Sequence, residues 1–387
     1  MPKRASHLYE MAVSDENGLA AVNDMLKGKR SHAAYGRLTT SSHKEIVRII
    51  TKRLTIQTKR GNVEHYRTNA DRIGCEVAAE LREGRWKPMP YRERLIFDGL
   101  RRKVRRIKVP CLHDQVVHHA IMRVTAPEIM RRNDWHNCGS IPGAGQSRAV
   151  KIVRGWMRRK RPPKYALCTD VRKFYDNCPH ASVMAALRRI VKDRQLLCLH
   201  EQVLASMGDG LAIGFYPSQW YGNLVLAAVD KVLAATAGVD YARYMDDVIA
   251  VSNSKRVLHR LQKAIDAVLR RMGMEIKHTW QVFRIAGRGI AFLSYRFYAG
   301  YTVLRKVLMT RIARAVRSAA KNLTPHIAMT VMSYMGILEP CNSYHYRKKY
   351  VYAIINLKRV KEVIRYVSHL CRVQRAALTI RGAARGE

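Results

Sequence analysis

Acidic residues are scarce in this chain of 387 residues: Asp and Glu total 29 against 71 Lys and Arg, a formal net charge of +42. A compact protein with that excess repels itself unless a polyanion neutralises it. Nucleic acid is the natural polyanion, and an acidic membrane surface the weaker one. Paired cysteine motifs are missing too. The eight cysteines include no CxxC, so the signatures of a zinc ribbon and a dithiol redox site are absent. The chain is too long and too apolar for a disulfide scaffold, which leaves scattered core thiols in a reducing compartment. No apolar run is long enough for a membrane span, because Pro217, Ser218, Gln219 and Asn223 interrupt the uncharged stretch from Leu211 to Val229. Glu10, Asp15 and Glu16 break the apolar segment that an export signal requires. A cytoplasmic protein is expected. Internal repeats and low-complexity tracts are also absent.

What is present suits a globular protein of two or three units, since 48% of residues are apolar. Cationic residues cluster over 81–108, over 151–164 and from Arg305 to Arg385. Tyr165 to Val171 reads as a buried strand ending in Asp170, and Arg243 to Val251 as strand, tight turn, strand. Ser252-Asn253-Ser254 offers N-caps to a helix with Val257, Leu258, Leu261, Ile265, Val268, Leu269 and Met272 on one stripe, stopped by Gly273. Met274 to Lys277 follows, then a hairpin through Ala286-Gly287-Arg288-Gly289 into Ile290–Tyr295. Residues 307–322 carry apolar residues at helical spacing, crossed by Arg311, Arg314 and Arg317. Strands alternating with helices and antiparallel hairpins make an α+β pattern.

The chemistry concentrates in three acids. Asp246-Asp247 sits in an apolar hairpin, and Asp170 ends an apolar strand. Adjacent carboxylates with apolar flanks raise each other's pKa unless a cation lies between them. Two Mg²⁺ ions about 4 Å apart would remove that penalty and support phosphoryl transfer. A polar turn is the plainer account of Asp246-Asp247, and a strand-end or capping Asp that of Asp170. The buried strands on either side of the pair weigh against the first.

Tyr244-Met245-Asp246-Asp247 on a hairpin resembles the signature of reverse transcriptases. Asp170-Val171-Arg-Lys-Phe-Tyr175 resembles the block carrying that family's first catalytic Asp. The run from Gly210 through Ile213-Gly214 and Ser218-Gln219 to Asn223 resembles the loop and helix under the incoming nucleotide. Met272 to Lys277 and Phe292-Leu293-Ser294-Tyr295 look like the two blocks after the catalytic hairpin, with Ser294 where Gly is usual. Lys103-Val-Arg105 and Asp114-Gln115 resemble fingers blocks, with Gln115 where Arg is usual. In Cys138-Gly-Ser-Ile141-Pro-Gly-Ala144-Gly145, Ile141 and Ala144 replace cations. The resemblance covers most of residues 75–300. Ile213-Gly214 with Ser218-Gln219, in place of Gln-Gly, is similar to the enzymes of diversity-generating retroelements.

The resemblance implies a right-hand polymerase: N-terminal segment and fingers over 1–164, palm over 165–298, and a basic helical thumb over 299–387. It implies that Asp170, Asp246 and Asp247, with the Val171 carbonyl, hold two Mg²⁺ ions. Lys103 and Arg105 would meet the triphosphate, Tyr175 would bar a ribose 2′-OH, and Lys277 would serve the pyrophosphate. A solvated basic face is the plainer account of the first two cations. Ile213, Gly214, Ser218 and Gln219 would line the nucleotide, and Tyr244, Met245, Phe292, Leu293 and Tyr295 would meet nucleic acid. An aliphatic Ile213 cannot make the amide hydrogen bond of a Gln, so errors at template adenines are expected. The implied partners are template RNA, primer, cDNA, dNTPs and a small helical accessory protein, a pentamer being one form considered, in a bacterial or phage-encoded system and with no membrane. A retron-like or phage-defence reverse transcriptase and a non-catalytic RNA-binding scaffold remain the alternatives.

Overall fold

A computed structural model of the chain describes residues 4–27, 63–98 and 103–369. Residues 1–3, 28–62, 99–102 and 370–387, among them Arg101, Arg102 and Cys371, lie outside the described residues.

Strands β1 (Arg92–Asp98) and β2 (Lys103–Val109) form an antiparallel ribbon in which Ile96 faces Arg105. Strands β3 (Tyr165–Thr169), β4 (Asp240–Tyr244), β5 (Asp247–Ser252) and β6 (Gln281–Arg284) form a second sheet, antiparallel throughout, in the order β4-β5-β3-β6. Its central strands are apolar because both must be buried: Ala166 and Leu167 in β3 and Val248 to Val251 in β5 are all core residues.

The helix Lys255–Arg271 packs across β3, β5 and β6. Ser254 caps it, its Oγ accepting from the Val257 N–H, and Gly273 follows with φ +73°. Leu258, Leu261, Ile265 and Leu269 are its buried stripe, each contributing about 1.5–3 kcal/mol on burial. Val257, Val268 and Met272, the flanks of the expected stripe, are half-buried. The helix Tyr216–Ala235 packs against the helix Leu112–Met130. No described helix is long and apolar enough to cross a membrane.

Met274 to Lys277 contributes one isolated bridge, Ile276 to Val171. One expectation is corrected. The turn at 286–289 exists, closed by the Gly289 N–H on the Ile285 carbonyl at 2.8 Å. It does not make a hairpin, because β6 pairs with β3 while the next strand, Ile290–Phe292, belongs to another sheet.

The chain divides into two compact units, one over 1–25, 65–293 and 297–300, the other over 26–64, 294–296 and 301–387. In the second, the helices Lys306–Lys321 and Pro325–Leu338 share an apolar cluster of Ala319, Ala328, Val331 and Val360. Arg314 and Arg317 of the first of these helices are exposed, and Arg311 is half-buried.

Candidate active site

Strand register brings the acids together. Thr169 pairs with Val248, and Tyr244 with Asp247. Asp170, one residue beyond β3, therefore meets the β4–β5 turn at the same end of the sheet. That turn has two central residues, Met245 and Asp246. Met245 has φ +57°, while Asp246 does not have a positive φ. A positive φ at the first turn position alone is the II′ pattern, where glycine is the usual occupant.

The acids act on one another. The Asp246 carboxyl is pushed up from 3.8 to about 7, first by burial, then by the Asp170 charge and its hydrogen bonding, then by Asp247. Asp170 Oδ1 is buried with no hydrogen-bond partner. Its Oδ2 lies 3.6 Å from Lys277 Nζ, and the Lys277 N–H donates to the Asp170 carbonyl at 2.8 Å. An orphaned carboxylate oxygen beside a carboxyl that resists ionisation is a donor set for a hard divalent cation. Asp170 and Asp246 would hold it. No cluster of three or more His, Cys, Asp or Glu side chains is arranged to hold a metal among the described residues. Two carboxylates nevertheless suit Mg²⁺, which completes its shell with water and substrate phosphate. Asp247 opens β5, half-buried, and its charge reaches Asp246.

Beside the acids lies the 210–214 loop, suspended between two backbones. The Leu211 N–H donates to the Tyr175 carbonyl at 2.6 Å, and the Lys108 N–H to the Ile213 carbonyl at 2.8 Å. Gly214 has φ +111°, and a Cβ there would stand 2.2 Å from the Lys108 carbonyl oxygen, so glycine is required. Ile213 is half-buried, while Gly214 and Gln219 are exposed. Tyr175 is half-buried with its phenol pushed up, chiefly by burial and then by Asp246, against a lowering pull from Arg105. Tyr175, Asp246 and Arg105 thus share one neighbourhood. Val171 is buried, and the Lys103 side chain lies outside the described residues. The 139–145 segment is a turn, with the Gly145 N–H on the Cys138 carbonyl at 2.9 Å and Ile141 buried.

Several residues expected at a ligand are supports instead. Ser218 is 1% exposed, and its Oγ donates to the Ala212 carbonyl at 2.7 Å, closing the nucleotide-loop turn from inside. Met245 is buried in close contact with Gly139. Phe292 is buried, and so is Tyr295, whose hydroxyl donates to the Ile337 carbonyl at 2.9 Å. Their side chains do not present a surface to nucleic acid. Tyr244 and Leu293 are half-buried, Leu293 with φ +54°.

Two features went unread in the sequence. Lys108 holds the nucleotide loop through its backbone, while its Nζ donates to the Met207 carbonyl at 2.5 Å. Arg243 and Asp230 form a buried ion pair behind the turn. The signal for the pair was available, since an Arg inside an apolar strand and an Asp ending the longest uncharged run each require a buried partner.

Comparison with known proteins gives a family. The reverse transcriptase (RNA-dependent DNA polymerase) family model matches residues 99–297, just over half of the 387 residues. No curated protein matches the chain. Among solved structures, telomerase from Candida albicans in complex with a TWJ fragment of telomeric RNA aligns at 11% identity and TM-score 0.44, over 75% of this chain and 61% of that one. Telomerase from Candida tropicalis with the same kind of fragment aligns at 13% and 0.44, over 78% and 64%, and apo telomerase from Candida tropicalis at 12% and 0.45, over 94% and 80%. The chain thus spans less than two thirds of the two RNA-bound telomerases. On the match over residues 99–297, which contains the three acids, the nucleotide loop and Tyr175, the chain belongs to the reverse transcriptase (RNA-dependent DNA polymerase) family.

Proposed function

We propose that this chain copies a template RNA into cDNA from dNTPs with Mg²⁺, and does so with low fidelity in the mutagenic retrohoming of a diversity-generating retroelement. The observation that carries the polymerase reading is the meeting of Asp170 and Asp246, with one buried carboxylate oxygen left unpartnered. Bound there, Mg²⁺ supplies Lewis-acid stabilisation of phosphoryl oxygens. Asp247 and the Val171 carbonyl complete the ligand set in this reading.

The chain's own residues do the rest. Tyr175 lies beside Asp246 and presents a neutral ring, which excludes a 2′-OH by its bulk. Lys103 and Arg105 meet the triphosphate as cations. Lys277, already beside Asp170, neutralises or protonates the departing pyrophosphate. Gly214 and Gln219 face the nucleotide. Fingers run to residue 164, palm to 298, and the basic residues beyond track the phosphates of the primer–template. The enzyme works in the bacterial cytoplasm, with its template RNA and a small helical accessory protein as partners.

Ile213 supports the mutagenic part. Its carbonyl is held by Lys108, so the loop is fixed while the side chain offers only hydrocarbon. An apolar contact rejects a misfit base less strongly than a hydrogen-bonding one.

The test is primer extension on a defined RNA template with Mg²⁺ and dNTPs, sequencing the cDNA, with Asp246→Ala and Ile213→Gln alongside. Error-rich cDNA at template adenines, abolished by Asp246→Ala and made more accurate by Ile213→Gln, is the expected result. Accurate wild-type cDNA would move the biology to a retron-like or defence role. No cDNA even with accessory protein and native RNA would leave a scaffold.

A further inference from the structure

Behind the catalytic turn lies a polar network that phosphoryl transfer does not use. Arg243 is fully buried and grips Asp230 with two nitrogens, Nε to Oδ1 at 2.6 Å and Nη2 to Oδ2 at 2.5 Å. Its third nitrogen, Nη1, donates to the Met245 carbonyl at 3.0 Å and to Asn223 Oδ1 at 3.2 Å. Asn223 carries the link outward. Its Nδ2 donates to the Gly139 carbonyl at 2.9 Å, and its Oδ1 also accepts from Asn137 Nδ2 at 3.0 Å. Asn137 Oδ1 in turn accepts the Gly139 N–H at 3.2 Å.

The backbones are tied at the same place. The Cys138 N–H donates to the Arg243 carbonyl at 2.8 Å, and the Arg243 N–H to the His136 carbonyl at 2.9 Å. Gly139 lies so close that a Cβ on it would stand 2.2 Å from the Met245 nitrogen.

This concentration of polar groups has a local reason. A methionine at φ +57° occupies a region that bulky L-residues avoid. Such a conformation persists only where its surroundings over-determine it. A buried Arg–Asp pair adds little net stability over an apolar pair of similar volume, so its value lies in what it fixes. Here the fixed atom is the Met245 carbonyl, one peptide before Asp246.

We propose that Arg243, Asp230, Asn223 and Asn137 are positioning residues that hold the Met245 turn from behind and so set Asp246 against Asp170. They touch neither substrate nor the reacting atoms. The 136–139 segment becomes part of the support for the catalytic turn. The activity arm of the test rests on the polymerase reading, while the structural arm stands without it.

Asn223→Asp keeps the acceptor for Arg243 and Asn137 and removes the donor to Gly139. Asn137→Ala removes the outer link and leaves the Arg243–Asp230 pair intact. For each variant, amide exchange of Cys138, Gly139 and Arg243 is measured beside thermal unfolding. Then kcat and the dNTP KM are measured by primer extension beside wild type. The expected result is local exchange at least about tenfold faster, a melting temperature close to wild type, kcat down about 100-fold and KM within about threefold. A merely structural role would lower the melting temperature and leave kcat per folded molecule unchanged. Unchanged local exchange, or a kcat within about twofold of wild type in the folded variant, overturns the proposal. If Asn223→Asp does not fold, Asn137→Ala carries both readouts. If wild type makes no cDNA, the polymerase reading fails, and the exchange arm alone decides whether the network holds the turn.

Discussion

Replacing Asp246 with Asn should stabilise the metal-free protein by an amount that grows with pH. The carboxyl sits at about 7 in the folded chain against 3.8 as its ordinary value. The folded state therefore holds a proton that the unfolded state has released throughout that window. Stability falls as pH rises through it, because the native state binds more protons than the unfolded one. The slope approaches about 1.36 kcal/mol per pH unit between the two values and halves by about pH 7, which gives about 2 kcal/mol between pH 5 and pH 7 and an upper bound of about 4 kcal/mol over the whole window. Asn matches the neutral carboxyl in size and can still donate to Asp170, so it keeps the packing and removes the titration. Urea unfolding in chelator at pH 5, 6, 7 and 8 measures the difference. The variant's advantage should climb steadily and flatten above about pH 7. Saturating Mg²⁺ should restore wild type, by about 2.7 kcal/mol at a concentration 100 times the Kd, and do much less for the variant. An advantage that is the same at pH 5 and pH 8 would refute the claim that burial and the neighbouring acids hold a proton on Asp246.

Three further outcomes are expected. Asp230→Asn leaves the fully buried Arg243 with a neutral partner, and should cost about 3–5 kcal/mol in chemical denaturation, where a loss under about 1 kcal/mol would show that the charge is not trapped. Gly214→Ala places a Cβ 2.2 Å from the Lys108 carbonyl at φ +111°, so the loop must shift, and about 1–3 kcal/mol of stability together with a raised dNTP KM should follow; an unchanged KM would mean that the loop does not line the nucleotide. Lys277→Met removes a half-exposed cation 3.6 Å from Asp170, so stability should change by no more than about 1 kcal/mol while kcat falls about 100-fold or more; a kcat within about twofold of wild type would confine Lys277 to the surface.

The acids and their elements were legible because both signals are local. Apolar runs mark β3 and β5, and the two strands can only bring Asp170 and Asp246 to one end if they pair antiparallel, as they do. The cap at Ser254 and the stop at Gly273 were equally local. What escaped depends on chain segments far apart in sequence. Whether the strand after Gly289 joins β6 or another sheet is set by pairing partners, not by the turn residues. Phe292 and Tyr295 have the composition of a nucleic-acid contact and of a core alike, and only burial separates the two. Ser218 is similar, since a hydroxyl near a ligand loop can face the ligand or brace the loop, and here it braces. The Arg243 network joins segments around 137, 223, 230 and 243, and no periodicity in one segment could reveal it.

The placement of cations sharpens the reading of the acids. With 71 Lys and Arg against 29 Asp and Glu, almost any carboxylate in this chain could be neutralised from within. Many are: Asp15 by Arg82, Asp24 by Arg123, Asp240 by Arg159, Glu275 by Arg172 and, deep inside, Asp230 by Arg243. Asp246 is treated differently. Its neighbours in charge are Asp170 and Asp247, and the cation at Asp170 reaches only Oδ2, leaving Oδ1 buried and unpartnered. Arg243, three residues before Asp246, is committed to Asp230 and the Met245 carbonyl. A fold so rich in guanidinium groups thus commits the one three residues before Asp246 to bracing the turn. Burial and the charges of Asp170 and Asp247 hold the Asp246 carboxyl protonated in the folded state, which weakens that state as pH rises and leaves Asp246 and the buried Asp170 Oδ1 suited to a divalent cation from solution. Stability and metal affinity therefore oppose each other at Asp246, and any substitution that neutralises it should raise the first while lowering the second.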